Sequence, residues 1–241
     1  MRINSDTSLK VVMHNDLIRS KSELSLNEIK LLRLTIMQIM KGDMDFMTYE
    51  IPIVELAKLL NIDNHNLYRD IQDMCIHLLK EVVLIGDGNP RHKWNAFQWV
   101  SSCKYNDGMI TIRLHDDLKP YLLELKGLYT QYLLEDVLML KSVYSIRIYE
   151  LIREAMRGKS YHADNVVSVE LSMAMIRKAT NTETLYKRYS SFQTYVIDKA
   201  MNEINEKLNM HIDYQTVKEQ RKIVGFIFTI SSKWNPINRE E

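Results

Sequence analysis

The strongest constraint on what this chain can fold into is that one order of local patterns occurs twice. The order is a long amphipathic helix, a short β-rich run, a short helix, a polar turn, a second helix and a β-hairpin. Its first copy runs from about Leu26 to Ile112 and its second from about Lys141 to Ile230. Each copy carries a Leu-Tyr pair where its second helix is expected to begin, Leu67-Tyr68 and Leu185-Tyr186. Two helices joined by a turn and followed by a hairpin make a winged helix-turn-helix. The fold class is therefore α+β, with tandem winged helix-turn-helix domains. A helix presented by such a turn fits the major groove, which points to double-stranded DNA as the partner.

The 241 residues suit two domains of roughly 110–120 residues, a common domain size. Apolar content of 46% and charged content of 26% supply two cores and a solvated surface. Seven glycines and four prolines predict a helix-rich chain with short connections. Cys75 and Cys103 lack metal-like spacing, which fits a reduced, cytoplasmic protein. The start, Met1 to Asp6, has no apolar signal region, and no run of about 18 uncharged apolar residues spans a membrane. The domain boundary is expected near Gly127, giving 1–127 and 128–241. No flexible linker marks it, so the two domains are expected to pack together.

Net charge is only +1, but it is unevenly spread. Residues 1–127 hold 16 basic and 17 acidic side chains, and residues 172–233 hold 10 basic against 6 acidic. A localised basic region is what a helix-in-groove protein needs, because phosphate contacts supply its non-specific affinity. An ordinary solvated surface would have a similar charge count.

In the first domain, Ser25 and Asn27 are both candidate N-caps, and Glu28 stands at the capping-box spacing from Ser25. A helix follows to Gly42, then a strand over 46–51, a helix over Ile53–Leu60, the turn Asn61-Ile62-Asp63-Asn64 and a second helix. A sheet is expected to begin at Val82–Ile85 and resume at about Trp94–Tyr105, with a tight turn at Asn106-Asp107-Gly108. A short helix is expected over Asp117–Leu125. In the second domain, helices are expected over Leu133–Leu140 and Val143–Met156, a strand over Val166–Val169, and a helix over Leu171–Ala179. After the turn Thr180–Thr184, one helix should run from about Lys187 to Leu208. Met210–Val217 and Ile223–Ser231 form a hairpin tipped by the basic wing Lys218-Glu219-Gln220-Arg221-Lys222.

A helical wheel separates the two faces of that long helix. Tyr189, Phe192, Val196, Ile197, Ala200, Met201, Ile204 and Leu208 form a core face. Lys187, Arg188, Ser191, Thr194, Tyr195, Asp198 and Asn202 lie opposite. Recognition helices read bases with N-terminal residues of this kind. Arg188 or Lys187 suits a guanine or a phosphate, Ser191 and Thr194 suit either, and Tyr195 suits a phosphate. Lys199 and the wing cations Lys218, Arg221 and Lys222 complete the candidate DNA-binding set. A solvated helix face has the same composition. The matching helix of the first domain presents Asn66, Arg69, Asp70, Asp73, His77 and Lys80, and its carboxylates would repel phosphates. This copy is expected to serve protein contact or weak backbone contact.

These residues carry a family resemblance. Lys141-Ser142-Val143-Tyr144-Ser145-Ile146-Arg147-Ile148-Tyr149-Glu150-Leu151 resembles the K-S-x-Y-S-x-R-x-Y-E-L helix of iteron-type plasmid replication initiators. Ala200–Asn205 is similar to the end of that family's recognition helix, and the basic wing with Ile227–Ile230 to its final strand. Asn27-Glu28-Ile29-Lys30-Leu31-Leu32 resembles its N-terminal module. The resemblance covers roughly residues 10–233. It implies two winged-helix domains, the C-terminal one binding tandem repeats at a plasmid origin and the N-terminal one serving dimerisation. It implies a homodimer in equilibrium with a monomer, the monomer starting replication and the dimer repressing its own promoter. It also implies host partners, a helicase and an initiator. The chain departs from the family in having few Lys and Arg in the recognition helix beyond Lys187, Arg188 and Lys199.

Catalytic readings find less support. Gly158-Lys159-Ser160 resembles the end of a phosphate-binding loop, but Arg153 stands where its first glycine belongs and a helix precedes it. The seven histidines form no His-x-His pair for a metal-dependent nicking site. Asp116-Asp117 suits a helix cap better than a cation. The expectation is a non-enzymatic initiator without cofactor or metal. The alternatives are a repressor of the same fold and, from another class, a DNA-nicking enzyme.

Overall fold

The computed structural model describes residues 9–62, 65–86, 89–123, 125, 127–159 and 166–232. Asp63, Asn64, Ser160 and His162 lie outside them. The chain divides into two compact units, 1–138 and 139–241.

The first unit opens with β1 (Lys10–His14) and α1 (Asn15–Arg19). In α2 (Leu26–Ile36), the Ser25 side chain accepts from the Glu28 N–H and the Glu28 carboxylate accepts from the Ser25 N–H. The cap is therefore Ser25, not Asn27. Next come β2 (Tyr49–Pro52), α3 (Ile53–Leu60) and α4 (Leu67–Leu78), the last two forming the first helix-turn-helix. Leu67, Ile71, Met74, Cys75 and Leu78 form the buried stripe of α4, as their spacing predicts.

The region read as one sheet is two. β3 (Val82–Ile85) pairs with β4 (Asn95–Gln98) and makes one isolated antiparallel bridge, Leu84 to Lys21, while β5 (Val100–Asn106) joins a sheet of order β2-β6-β5 through β6 (Met109–Leu114). The break falls at Trp99, a buried side chain whose backbone carbonyl accepts from His115 N–H. The β5–β6 turn has φ +46° at Asp107 and +78° at Gly108, the left-handed pair that Asp-Gly favours. The helix expected over Asp117–Leu125 is a 3₁₀ turn (Asp116–Leu118) followed by α5 (Lys119–Leu122).

β7 (Tyr129–Leu133) pairs antiparallel with β1, from Lys10↔Leu133 to His14↔Tyr129. This pairing draws the segment after Gly127 into the first unit. The division thus falls at Leu138/Met139, later than the boundary expected from sequence. Helix α6 (Leu134–Met139) follows β7.

The second unit begins with α7 (Val143–Ala155), followed by β8 (Val167–Ser172) and α8 (Met173–Ala179). A helical rod then runs through α9 (Tyr189–Phe192), a π-helical segment (Gln193–Asp198) and α10 (Lys199–Lys207). β9 (Met210–Glu219) and β10 (Lys222–Ser232) form the hairpin, and the antiparallel sheet has the order β8-β10-β9. Val167, Val169 and Leu171 alternate inward from β8 to meet Phe226, Phe228 and Ile230 of β10. Gly225 lies so near β8 that a Cβ there would sit 2.7 Å from the Leu171 carbonyl oxygen. Phe192, Val196, Ile197, Ala200, Met201 and Ile204 close the core from the rod.

The α7 motif does structural work. Buried Arg147 donates to the Ala179 carbonyl at the end of α8 (3.0 Å) and to buried Glu150 (2.6 Å). The Lys141 N–H, just ahead of α7, donates to Glu203 of α10 (2.6 Å). Burial raises the Glu203 pKa, but hydrogen bonds to it outweigh that and hold the carboxyl below its ordinary range.

Candidate nucleic-acid interface

The second helix-turn-helix is α8, the connection 180–188 and the rod that starts at Tyr189. The Thr180 hydroxyl lies 2.7 Å from the Ile176 carbonyl and 2.8 Å from the Thr182 hydroxyl, which tightens the exit from α8. Arg177 holds the rest. Its guanidinium donates to the carbonyls of Thr182 (2.7 Å), Leu185 (2.9 Å) and Tyr186 (3.0 Å). It also lies over the Phe192 ring, 4.1 Å from the centroid. One planar cation therefore ties the first helix, the turn and the first turn of the second helix together. Burial lowers the Arg177 pKa, but arginine stays charged. No sequence pattern marked Arg177, since a basic residue near a helix C-terminus has an ordinary explanation.

The turn ends differently from expectation. The Leu-Tyr pair opens α4 in the first unit, but Leu185-Tyr186 still belongs to the connection, with Tyr186 at φ +47°. The helix starts at Tyr189, so Arg188 is its extended N-cap residue and Lys187 precedes it. Both are exposed. Tyr186 stacks on Tyr195 (centroids 5.7 Å, 28° between planes) and meets Tyr144 edge-on at 6.3 Å. Tyr195 is 57% exposed even so, Thr194 and Lys199 are exposed too, and Ser191 is half-buried.

Asp198 is not the free surface carboxylate that the wheel implied. It accepts from the Tyr214 hydroxyl of β9 (2.5 Å), and that hydroxyl accepts from the Gln193 amide (2.8 Å). Burial, then the Asp198 hydrogen bond, pushes the Tyr214 phenol up to about 12, so it remains a donor at neutral pH. These contacts fasten the rod to the wing hairpin. Lys218 lies four positions along β9 from Tyr214, about 13 Å at strand rise. Lys218 and Lys222 flank the hairpin end, Arg221 lies in its turn, and all three are exposed. Glu219 stands opposite Lys222 in register and offsets part of their charge.

The first unit's α4 also exposes the set expected of it, Asn66, Arg69, Asp70, Asp73, His77 and Lys80. His77 lies between two carboxylates, 2.9 Å from Glu28 and 3.4 Å from Glu81. The exposed face of α4 thus mixes the carboxylates Asp70 and Asp73 with Arg69 and Lys80, where the second unit's is cationic and hydroxyl-bearing at its start. Among the described residues, no group of three His, Cys, Asp or Glu is placed to hold a metal, and no helix is long and apolar enough to cross a membrane.

The family description "Initiator Replication protein, WH1" matches residues 10–153, and "Initiator Rep protein, WH2" matches residues 172–230. An Escherichia coli replication initiation protein is 26% identical over 159 residues, 66% of this chain and 48% of the relative. The PI protein of Escherichia coli is 30% identical over 139 residues, 54% of this chain and 45% of the relative. This chain thus spans about half the length of these two relatives. A crystal structure of Pi initiator protein in complex with iteron DNA superposes with a TM-score of 0.77 at 20% identity, over 94% of this chain and 98% of that one. The two matched modules begin with β1 and end within β10, and on them the chain belongs to the initiator replication protein family, with two winged-helix domains.

Proposed function

We propose that this protein starts plasmid replication by binding direct repeats in double-stranded DNA at the origin, with the second unit reading the repeat. The observation that carries this reading is the second helix-turn-helix. Arg177 holds its turn rigid, Arg188 and Lys187 stand at the exposed start of the second helix, and three cations crown the wing. Base-edge donors on a helix start and phosphate-binding cations on a hairpin are the parts a groove reader needs. The fold is shared with an initiator crystallised on iteron DNA, which supports the same assignment.

On this reading the protein is not an enzyme. It opens the origin by binding and bending, then hands it to host helicase and initiator proteins in the cytoplasm. The carboxylates Asp70 and Asp73 on α4 suit the first unit to protein contact better than to a groove, and a homodimer formed there would repress the protein's own promoter while monomers initiate. The test is to titrate the DNA flanking its gene and map unpaired thymines with permanganate. Binding to direct repeats with strand opening beside them is expected. Binding without opening would favour a repressor, and magnesium- or manganese-dependent nicking, or a tyrosyl–DNA adduct, would favour a strand-cutting enzyme.

A further inference from the structure

The π-helical segment and Tyr214 form one device. The segment begins at Gln193 and ends at Asp198, and these are the two residues that share the Tyr214 hydroxyl. In a regular α-helix, positions five apart point about 140° away from each other. A single hydroxyl would not reach both. The slower winding of an i→i+5-bonded π turn brings them much closer to one face. π turns are rare and need outside support, and here the support comes from β9. The Tyr214 ring is itself fixed, packing edge-on to buried Phe226 at 5.6 Å and against Phe228 at 6.2 Å.

The turn has two consequences for the exposed face. Phe192, Val196, Ala200 and Ile204 recur every four residues, which drifts about 40° per step around a regular helix. The slower winding of the π turn absorbs part of that drift, so all four stay buried while Thr194 and Tyr195 are carried outward on the turn itself. The Tyr214 bond also turns the Asp198 carboxylate toward β9, away from any phosphate the helix would meet.

We infer that Tyr214 is a positioning residue for sequence reading: clipping Gln193 to Asp198, it locks the π turn that presents Thr194 and Tyr195, so discrimination between DNA sequences depends on it while phosphate affinity does not. The inference rests on the DNA-binding reading above. The residue touches no base itself, and its role is separable from that of the wing cations.

The test uses the full chain and its Tyr214→Phe variant, which keeps the ring and removes the hydroxyl. Binding to a duplex carrying one repeat from the flanking DNA and to a scrambled duplex of equal length is measured by fluorescence anisotropy at several salt concentrations. The expected result is a fall of about tenfold in the ratio of the two affinities, with scrambled-duplex affinity and salt slope unchanged. Gln193→Ala should reproduce part of the fall, add little when combined with Tyr214→Phe, and serve alone if Tyr214→Phe does not fold. Equal weakening on both duplexes would mean a merely structural role and overturn the inference. A wild-type chain that discriminates, with a variant that discriminates as well, would overturn it while leaving the DNA-binding reading intact. A wild-type chain that prefers no repeat would overturn both.

Discussion

Replacing Arg177 with Ala should loosen the second helix-turn-helix without touching a residue proposed to meet DNA. The guanidinium makes three hydrogen bonds to backbone carbonyls and one face contact with Phe192. A hydrogen bond to a charged group is worth about 1.5–3 kcal/mol, and a cation–π contact with a buried ring such as Phe192 about 1–2 kcal/mol. The terms do not add in full, because water can reach the exposed Leu185 carbonyl when the arginine is gone. Thr182 is fully buried and its carbonyl has less recourse to water, so that bond dominates. The expected loss is roughly 3 kcal/mol of local stability. A two-unit chain has no single unfolding free energy, so amide exchange is the suitable assay. Protection of amides in α8 and α9 should fall by roughly 100-fold, with the first unit unaffected. Arg177→Lys, which keeps the charge but not the fork, should recover only part of it. A fall of less than about fivefold in Arg177→Ala would refute the view that this cation holds the turn.

Replacing Lys218, Arg221 and Lys222 together with Ala should weaken binding to every duplex alike and lower the slope of log K against log salt by up to about three units; an unchanged slope would remove the wing from the interface. Arg188→Ala should cost about 1–3 kcal/mol of specific binding if it grips a base edge, whereas Asp70→Ala should cost none, and the reverse pattern in parallel titrations would assign reading to the first unit. Glu150→Ala should lower amide protection in α7 by removing a carboxylate that buried Arg147 grips, and Arg147→Met with Glu150→Leu should lower it less than that single change. A fragment of residues 139–241 should stay soluble and monomeric and bind one repeat weakly. A fragment cut at 128 should aggregate, since it carries β7 without β1, and sedimentation distinguishes the two.

Much of this fold was legible because its signals are local. The apolar stripe of α4, the Asp-Gly turn at 107–108, the alternation of β8 and the wing each declare themselves within a dozen residues. The division at Leu138/Met139 was not legible because β7 finds its partner at the far end of the unit, in β1, and nothing within 128–133 announces that pairing. The π turn was hidden because apolar residues at four-residue spacing also satisfy an α-helical wheel. For the candidate site, the exposed residues were readable by composition, but the residues that place them were not. Arg177 resembles an ordinary C-terminal helix cation, Asp198 an ordinary surface acid and Tyr214 an ordinary strand aromatic. Their roles come from partners distant in sequence or from backbone carbonyls, which carry no sequence signature at all.

Hydroxyl-radical footprinting of the full chain on the DNA flanking its gene decides whether the second unit reads direct repeats. Protected patches should recur once per direct repeat, in the same orientation, and Arg188→Ala should erase them at concentrations where wild-type protein fills every repeat. Uniform protection without a repeating unit, or recurring patches that survive Arg188→Ala and vanish in a variant of α4, would contradict it.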